Sequence, residues 1–178
     1  MAEFAAWVTG LDRPGIIAAV TGVLFDQGCN LEDCSMTILS RHFAMTLLAK
    51  GPDDMSAGAL EAALRGATEP LGLTAAVSEV DDDGGVEVAG ASYIVAVYGA
   101  DRPGIVHRVS QLLADRGVNI TDLDTRVIGD PDAPVYAMQL EVTLPEAVTP
   151  DALADELAEL GREVGVDTSI HAVEADLL

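Results

Sequence analysis

Apolar residues along this chain alternate between two rhythms, one for strands and one for helices. Glu3 to Thr9 is rich in apolar and aromatic residues (Phe4, Ala5, Ala6, Trp7, Val8) and reads as a strand. From Pro14 the apolar positions become Ile16, Ile17, Val20, Val23 and Leu24, the one-sided stripe of a helix. Proline is at ease in a first helical turn, where its missing N–H is no loss, and Gly28 supplies the left-handed residue that stops the helix. Leu31–Leu39 and Phe43–Ala49 read as two strands, with Ser40-Arg41-His42 as a short hairpin between them. Gly51-Pro52-Asp53-Asp54 breaks the pattern, Ser56 to about Arg65 carries Leu60 and Leu64 at helical spacing, and Leu73–Val80 reads as a strand.

The second half repeats that order. Tyr93–Tyr98 is a strand, and the helix after Pro103 carries Ile105, Val106, Val109, Leu112 and Leu113 before Gly117 stops it. Ile120–Ile128 and Val135–Leu144 are strands, with Gly129-Asp130-Pro131-Asp132 as the turn between them. Thr149-Pro150 opens a helix with stripe Leu153, Leu157 and Leu160, and Val166–Val173 closes the copy as a strand. Two landmarks hold one register. Gly10-Leu11-Asp12-Arg13-Pro14-Gly15-Ile16-Ile17 returns as Gly99-Ala100-Asp101-Arg102-Pro103-Gly104-Ile105-Val106, and Gly28-Cys29-Asn30-Leu31 as Gly117-Val118-Asn119-Ile120. The sequence predicts an α+β chain of two tandem ferredoxin-like βαββαβ domains, residues 1–80 and 91–178, each with one antiparallel sheet and both helices on one face. Residues 81–90, with Asp81-Asp82-Asp83-Gly84-Gly85 at their head, are expected to be an acidic, glycine-rich linker rather than a metal site, since an aspartate triplet binds metal only with rigid supporting ligands.

Charge narrows the function. The 178 residues carry a formal net charge of −21, which repels phosphate, so direct binding to nucleic acid or to an anionic membrane is not expected. Aromatic residues make up only 4%, against a base-stacking RNA binder. No apolar run approaches a membrane span, and Met1-Ala2-Glu3-Phe4 has no basic start and no long apolar core, so no secretory leader is expected. Cys29 and Cys34 are five extended steps apart, roughly 16 Å, too far for a disulfide that needs Cα atoms near about 6 Å. A reducing, cytoplasmic setting is the expectation. Cys29 reads as a small core hydrophobe, with a redox sensor as the alternative.

Chemistry concentrates at the repeated corner. A helix N-terminus presents bare N–H groups and partial positive charge, and Gly15 and Gly104 let a carboxylate come close to that backbone. Asn30 and Asn119 add amide donors and an acceptor, so corner and asparagine together suit an α-amino acid. The structural alternative stands beside this: Asp12 and Asp101 cap the helices, Pro-Gly turns the chain, and the asparagines satisfy backbone. His42, His107 and His171 share no metal spacing, and no Cys-x-x-Cys, nucleophile elbow, P-loop or dinucleotide fingerprint is present, so no metal or cofactor is expected.

The Asp-Arg-Pro-Gly-Ile corner, the amphipathic helix and the Gly-x-Asn-[Leu/Ile] that follows it resemble the ACT domain, twice over. A tandem pair with no catalytic domain is similar to the glycine cleavage system transcriptional repressor family. That resemblance implies side-by-side sheet association, a homodimer, and a non-enzymatic regulatory role in which an amino acid binds at domain interfaces between the corner and the Gly-x-Asn segment. Carried onto this chain it points to Asp12, Arg13, Gly15, Ile16, Asn30 and Leu31, and to Asp101, Arg102, Gly104, Ile105, Asn119 and Ile120. Any effect on transcription of amino-acid metabolism is expected to pass through a protein partner, such as a transcription regulator, given the acidity. Two alternatives are an acylphosphatase-like hydrolase using Arg13 with Asn30, and a ligand-independent interaction module pairing through sheet edges.

Overall fold

The computed structural model describes residues 1–80, 89–130 and 133–173. The expected linker lies almost wholly outside the described residues, as do Pro131 and Asp132 of the second hairpin. The chain divides into two units, Met1–Gly84 and Gly85–Leu178.

In the first unit β1 (Ala2–Leu11), α1 (Ile16–Asp26), β2 (Asn30–Leu39), β3 (His42–Gly51), α2 (Ala57–Thr68) and β4 (Leu73–Glu79) follow in order. The four strands form one antiparallel sheet in the order β2-β3-β1-β4. Alternation decides its two faces. Phe4, Ala6 and Val8 of β1 and Phe43, Met45, Leu47 and Ala49 of β3 point to the helices and are buried. They pack against Ile16, Val20 and Leu24 of α1 and Leu60 and Leu64 of α2. Both stripes recur at i, i+4 and so present one face of each helix to the sheet.

The turns have local causes. Gly28 is left-handed at φ 68, and the Cys29 N–H donates to the Leu24 carbonyl at 2.8 Å, closing α1 as the sequence leads one to expect. Ser56 caps α2 by accepting from the Ala59 N–H at 3.3 Å. That helix runs a turn past Arg65, because Thr68 is buried with its hydroxyl on the Leu64 carbonyl, and a short 3-10 turn over Glu69–Leu71 leads to left-handed Gly72. The first hairpin is tighter than the sequence suggests. Leu39 pairs with His42, leaving Ser40 and Arg41 alone in the turn with φ of 47 and 73, the mirror-image turn that matches strand twist.

The second unit repeats the plan with β5 (Gly90–Ala100), α3 (Ile105–Asp115), β6 (Asn119–Asp130), β7 (Ala133–Pro145), α4 (Pro150–Val164) and β8 (Val166–Ala172), in sheet order β6-β7-β5-β8. Its core joins Val95, Val97, Val109, Leu113, Met138, Leu140, Val142, Leu153 and Leu157. Thr149 caps α4 by accepting from the Ala152 N–H, and Gly165 ends the helix in the left-handed region at φ 78. In both units the helix layer stops short of the outermost strand. Met36 and Ile38 of β2 lie on the helix side opposite Met45 and Phe43, and Leu123 and Val127 of β6 opposite Leu140 and Tyr136, yet all four remain exposed.

Candidate functional site

Each corner is built by one glycine. Gly15 and Gly104 are the residues just before α1 and α3, and both are left-handed, at φ 97 and φ 94. Only glycine adopts that conformation without strain, which is why it returns at the same place in both copies. A Cβ at either would meet nothing within 4 Å, so the space before each helix N-terminus is open. Neither helix has a side-chain cap, so Asp12 and Asp101 do not fill the capping role that was the structural alternative. Asp12, Arg13 and Gly15 are exposed, as are Asp101, Arg102 and Gly104, while Ile16 and Ile105 are buried beneath them as anchors. The Asp12 N–H donates to the Arg41 carbonyl at 2.8 Å, which ties the tip of the first hairpin to its corner.

The two corners differ in what stands behind them. Gly10 pairs with Phe43, whereas Gly99 pairs with Tyr136, so the second corner has a phenol where the first has a bare ring. Tyr136 is only 9% exposed. Burial pushes its hydroxyl above the ordinary tyrosine range; a hydrogen bond with Thr125 opposes the shift and the nearby Asp101 carboxylate adds to it. Arg102 is also committed differently from Arg13. A Cβ at Gly165 would sit 3.0 Å from the Arg102 Nη1, so this guanidinium lies over the C-terminal end of α4, where a cation meets the negative end of the helix dipole. At Gly72, the matching place in the first unit, nothing approaches within 4 Å.

The asparagines lie elsewhere. Asn30 pairs with Lys50, and Lys50 with Glu3 at the start of β1, while the corner follows Leu11 at its end. From Glu3 to Leu11 is roughly 27 Å of strand. The physical reason is plain: a helix of 11 residues carries the chain back along the sheet before β2 begins. Within one unit, therefore, corner and asparagine do not share a seat, in contrast to the expectation that the two act together there. The same separation parts Arg13 from Asn30, so the pair that the hydrolase reading needs is not assembled.

Around Asn30 stands a polar cluster that the sequence did not announce. A β-bulge between Leu31 and Asp33 re-aims Glu32, whose carboxylate accepts from Asn30 Nδ2 at 2.7 Å and from Lys50 Nζ at 3.2 Å. Lys50 also pairs with Glu3 at 3.0 Å. The hydrogen bond from Asn30, with those from Lys50, holds the Glu32 carboxyl below its ordinary value. The bonds to Glu3 and then Glu32 hold Lys50 above its own. Glu3, Phe4, Glu32, Leu48, Ala49, Lys50 and Val80 line a small cavity of about 180 Å³. In the second unit the same bulge falls between Ile120 and Asp122, but Asn119 pairs with Thr143 and the charged cluster is not repeated. Leu31 and Ile120 lie just before these bulges, Leu31 exposed and Ile120 packed against the core.

The remaining candidates resolve simply. Cys29 and Cys34 are free thiols; Cys29 packs against the core 3.5 Å from the Met55 sulfur, and burial raises its thiol pKa, which makes it less reactive. Among the described residues no group of His, Cys, Asp or Glu is arranged to hold a metal ion, and no helix is long and apolar enough to cross a membrane.

Helix, sheet and doubled corner together define the class. The chain belongs to the ACT domain family, with one domain matched over residues 6–78 and another over residues 93–161. It is thus a tandem of small-ligand regulatory domains. It is 42% identical to a UPF0237 protein of Methanopyrus kandleri over 79 residues, covering 44% of this chain and 83% of that one. It is 26% identical over 166 residues to the glycine cleavage system transcriptional repressor of Escherichia coli, covering 92% of this chain and 86% of the repressor. It is also 27% identical over 166 residues to the phosphoserine phosphatase SerB2 of Mycobacterium tuberculosis, of which it spans 39%. Among solved structures, a protein of unknown function from Galdieria sulphuraria matches with a TM-score of 0.83, 26% identity and coverage of 97% of this chain and 98% of that one.

Proposed function

We propose that this chain is a non-enzymatic regulatory protein that senses an amino acid, with the α-carboxylate seated on the bare amides before α1. The observation that carries this reading is the pair of left-handed glycines, each with open space before it and no side-chain cap on the helix it opens. The carboxylate takes the N–H groups and the positive end of the dipole. Arg13, exposed beside Gly15, adds charge; Arg102 is drawn to α4, so the first corner is the stronger of the two. Asn30, at the far end of its own sheet, does not supply the acceptor for the ligand's ammonium group within that unit. The likeness to a transcriptional repressor supports an output on transcription, and the acidic surface favours action through a protein partner.

Titration calorimetry of the whole chain against the twenty amino acids tests this. Binding by one or a few is expected, weakened about tenfold or more by Arg13→Ala and less by Arg102→Ala, since only the first removes a cation free to meet the ligand. No heat with any amino acid, or equal loss from the two substitutions, contradicts the proposal.

A further inference from the structure

An open sheet ends in strands whose outer N–H and C=O groups have no ladder partner, and another chain can add itself there. The two units differ at one such edge. β4 and β8 close the sheets on the side away from β2 and β6. The last ladder bond fixes which of their backbone groups turn outward. The Val80 N–H donates to the Glu3 carbonyl at 2.9 Å, and the Val173 N–H to the Ser92 carbonyl at 3.1 Å. Bonding alternates along antiparallel strands, so Ala75, Val77 and Glu79 of β4 turn their backbone groups outward, as do Thr168, Ile170 and Ala172 of β8.

In the first unit α2 ties this edge down. The Val77 N–H donates to the Glu61 carboxylate at 3.1 Å, and the Ala57 N–H in the first turn of α2 donates to the Glu79 carboxylate at 3.4 Å. The second unit can be matched to the first residue for residue. Val77 pairs with Ala6 as Ile170 does with Val95, and the caps Ser56 and Thr149 start the two helices. Ala154 then stands for Glu61, Pro150 for Ala57 and Ala172 for Glu79. Ala154 has no acceptor, Pro150 no N–H and Ala172 no carboxylate, so neither tie can form. Thr168 to Ala172 is left as about 13 Å of open edge. β2 and β6, at the far side of each sheet, carry bulges, which blunt an edge.

We infer that the outer edge of β8 takes an extended segment of a partner protein as an added strand, one with basic residues at alternate positions. Charge selects this occupant. α4, which packs against β8, carries five acidic residues and one arginine, and Asp167 is exposed on the strand itself. A second copy meeting this edge would set α4 against α4, like charge against like, whereas a basic strand is drawn to it. Apolar residues between the basic ones would lie beside Ile170, which is only partly buried. Main-chain bonds to Thr168, Ile170 and Ala172 supply affinity, and the alternate side chains supply selection. The edge is open whether or not the corner before α1 holds an amino acid, and it offers a regulatory protein a contact separate from its ligand.

Fluorescence polarisation with the whole chain tests this. The probe is a labelled peptide of about nine residues alternating lysine and valine, set against one of the same composition with its lysines and valines in separate blocks. Saturable binding is expected, about tenfold or more tighter for the alternating peptide, with slowed amide exchange at Thr168, Ile170 and Ala172. Ala154→Glu, which rebuilds the tie seen at Glu61, should weaken binding about tenfold although it adds a negative charge. Ala172→Pro should weaken it as well, since it removes an outward N–H and no ladder bond. Circular dichroism should be unchanged in both variants. No binding of the alternating peptide, equal binding of the two peptides, an Ala154→Glu chain that binds as well or better, or protection of another strand's amides in place of these would overturn the inference.

Discussion

At the scale of single residues, chemistry in this protein turns on where a side chain's partners are. Glu32 shows this in a measurable way. Its folded pKa is held below the ordinary value of 4.5, by Asn30 first and Lys50 next, so its contribution to stability is present above that value and lost as pH falls through the folded pKa. Lys50 is held above 10.5, so its contribution is complete below that value and lost as pH rises through the raised one. Glu32→Gln should therefore open a small, constant stability gap across neutral pH, seen as a lower urea midpoint. The gap should close as the solution is acidified below pH 4.5, where the wild-type carboxylate is lost as well. A gap that persisted unchanged at pH 2 would mean that the bulge holds Glu32 for its shape and not for its charge. The other residue-scale lesson is Tyr136. It stands where the first copy has Phe43, and the difference of one hydroxyl gives the second corner a buried polar group with Thr125 and Asp101 about it.

At the scale of elements, helix stripes and strand alternation are what made the architecture readable. Ile16, Val20 and Leu24, and Leu153, Leu157 and Leu160, face the core as their spacing requires, and Gly28, Gly117 and Gly165 end their helices in the left-handed region. Pattern alone could not show the bulges at Glu32 and Thr121, because a bulge adds one residue without breaking the apolar alternation by much. Nor did it show the Ser40-Arg41 turn, where two residues other than glycine hold positive φ. The distance between corner and Asn30 was in fact deducible. Any residue that begins the strand after a full-length helix lies at the opposite end of the sheet from the helix's start. The helical glycines supply the prediction at this scale. Gly22→Ala or Gly66→Ala should each stabilise the fold by about 0.5–1 kcal/mol, read from thermal melting, since a Cβ at either place meets nothing within 4 Å. Destabilisation would show an internal demand for glycine that the free space beside both positions does not reveal.

At the scale of the whole chain, duplication has kept the fold and let the surfaces diverge. Both units retain the corner glycine, the helix-stopping glycine, the asparagine and the bulge after it. They differ on the solvent side of the second helix, where Ala62 and Gly66 in one stand against Asp155 and Glu159 in the other, and at the arginine of the corner. One copy is thus fitted for different contacts from the other on the same backbone. The central claim concerns the amides before α1, and amide chemical shifts report on them directly. With ¹⁵N-labelled protein and the tightest-binding amino acid from calorimetry, the account predicts the largest shift changes at Arg13, Gly15, Ile16 and Ile17, with smaller ones at Arg102, Gly104 and Ile105. Saturable binding that left the amides of both corners unmoved and shifted those of another region would contradict it.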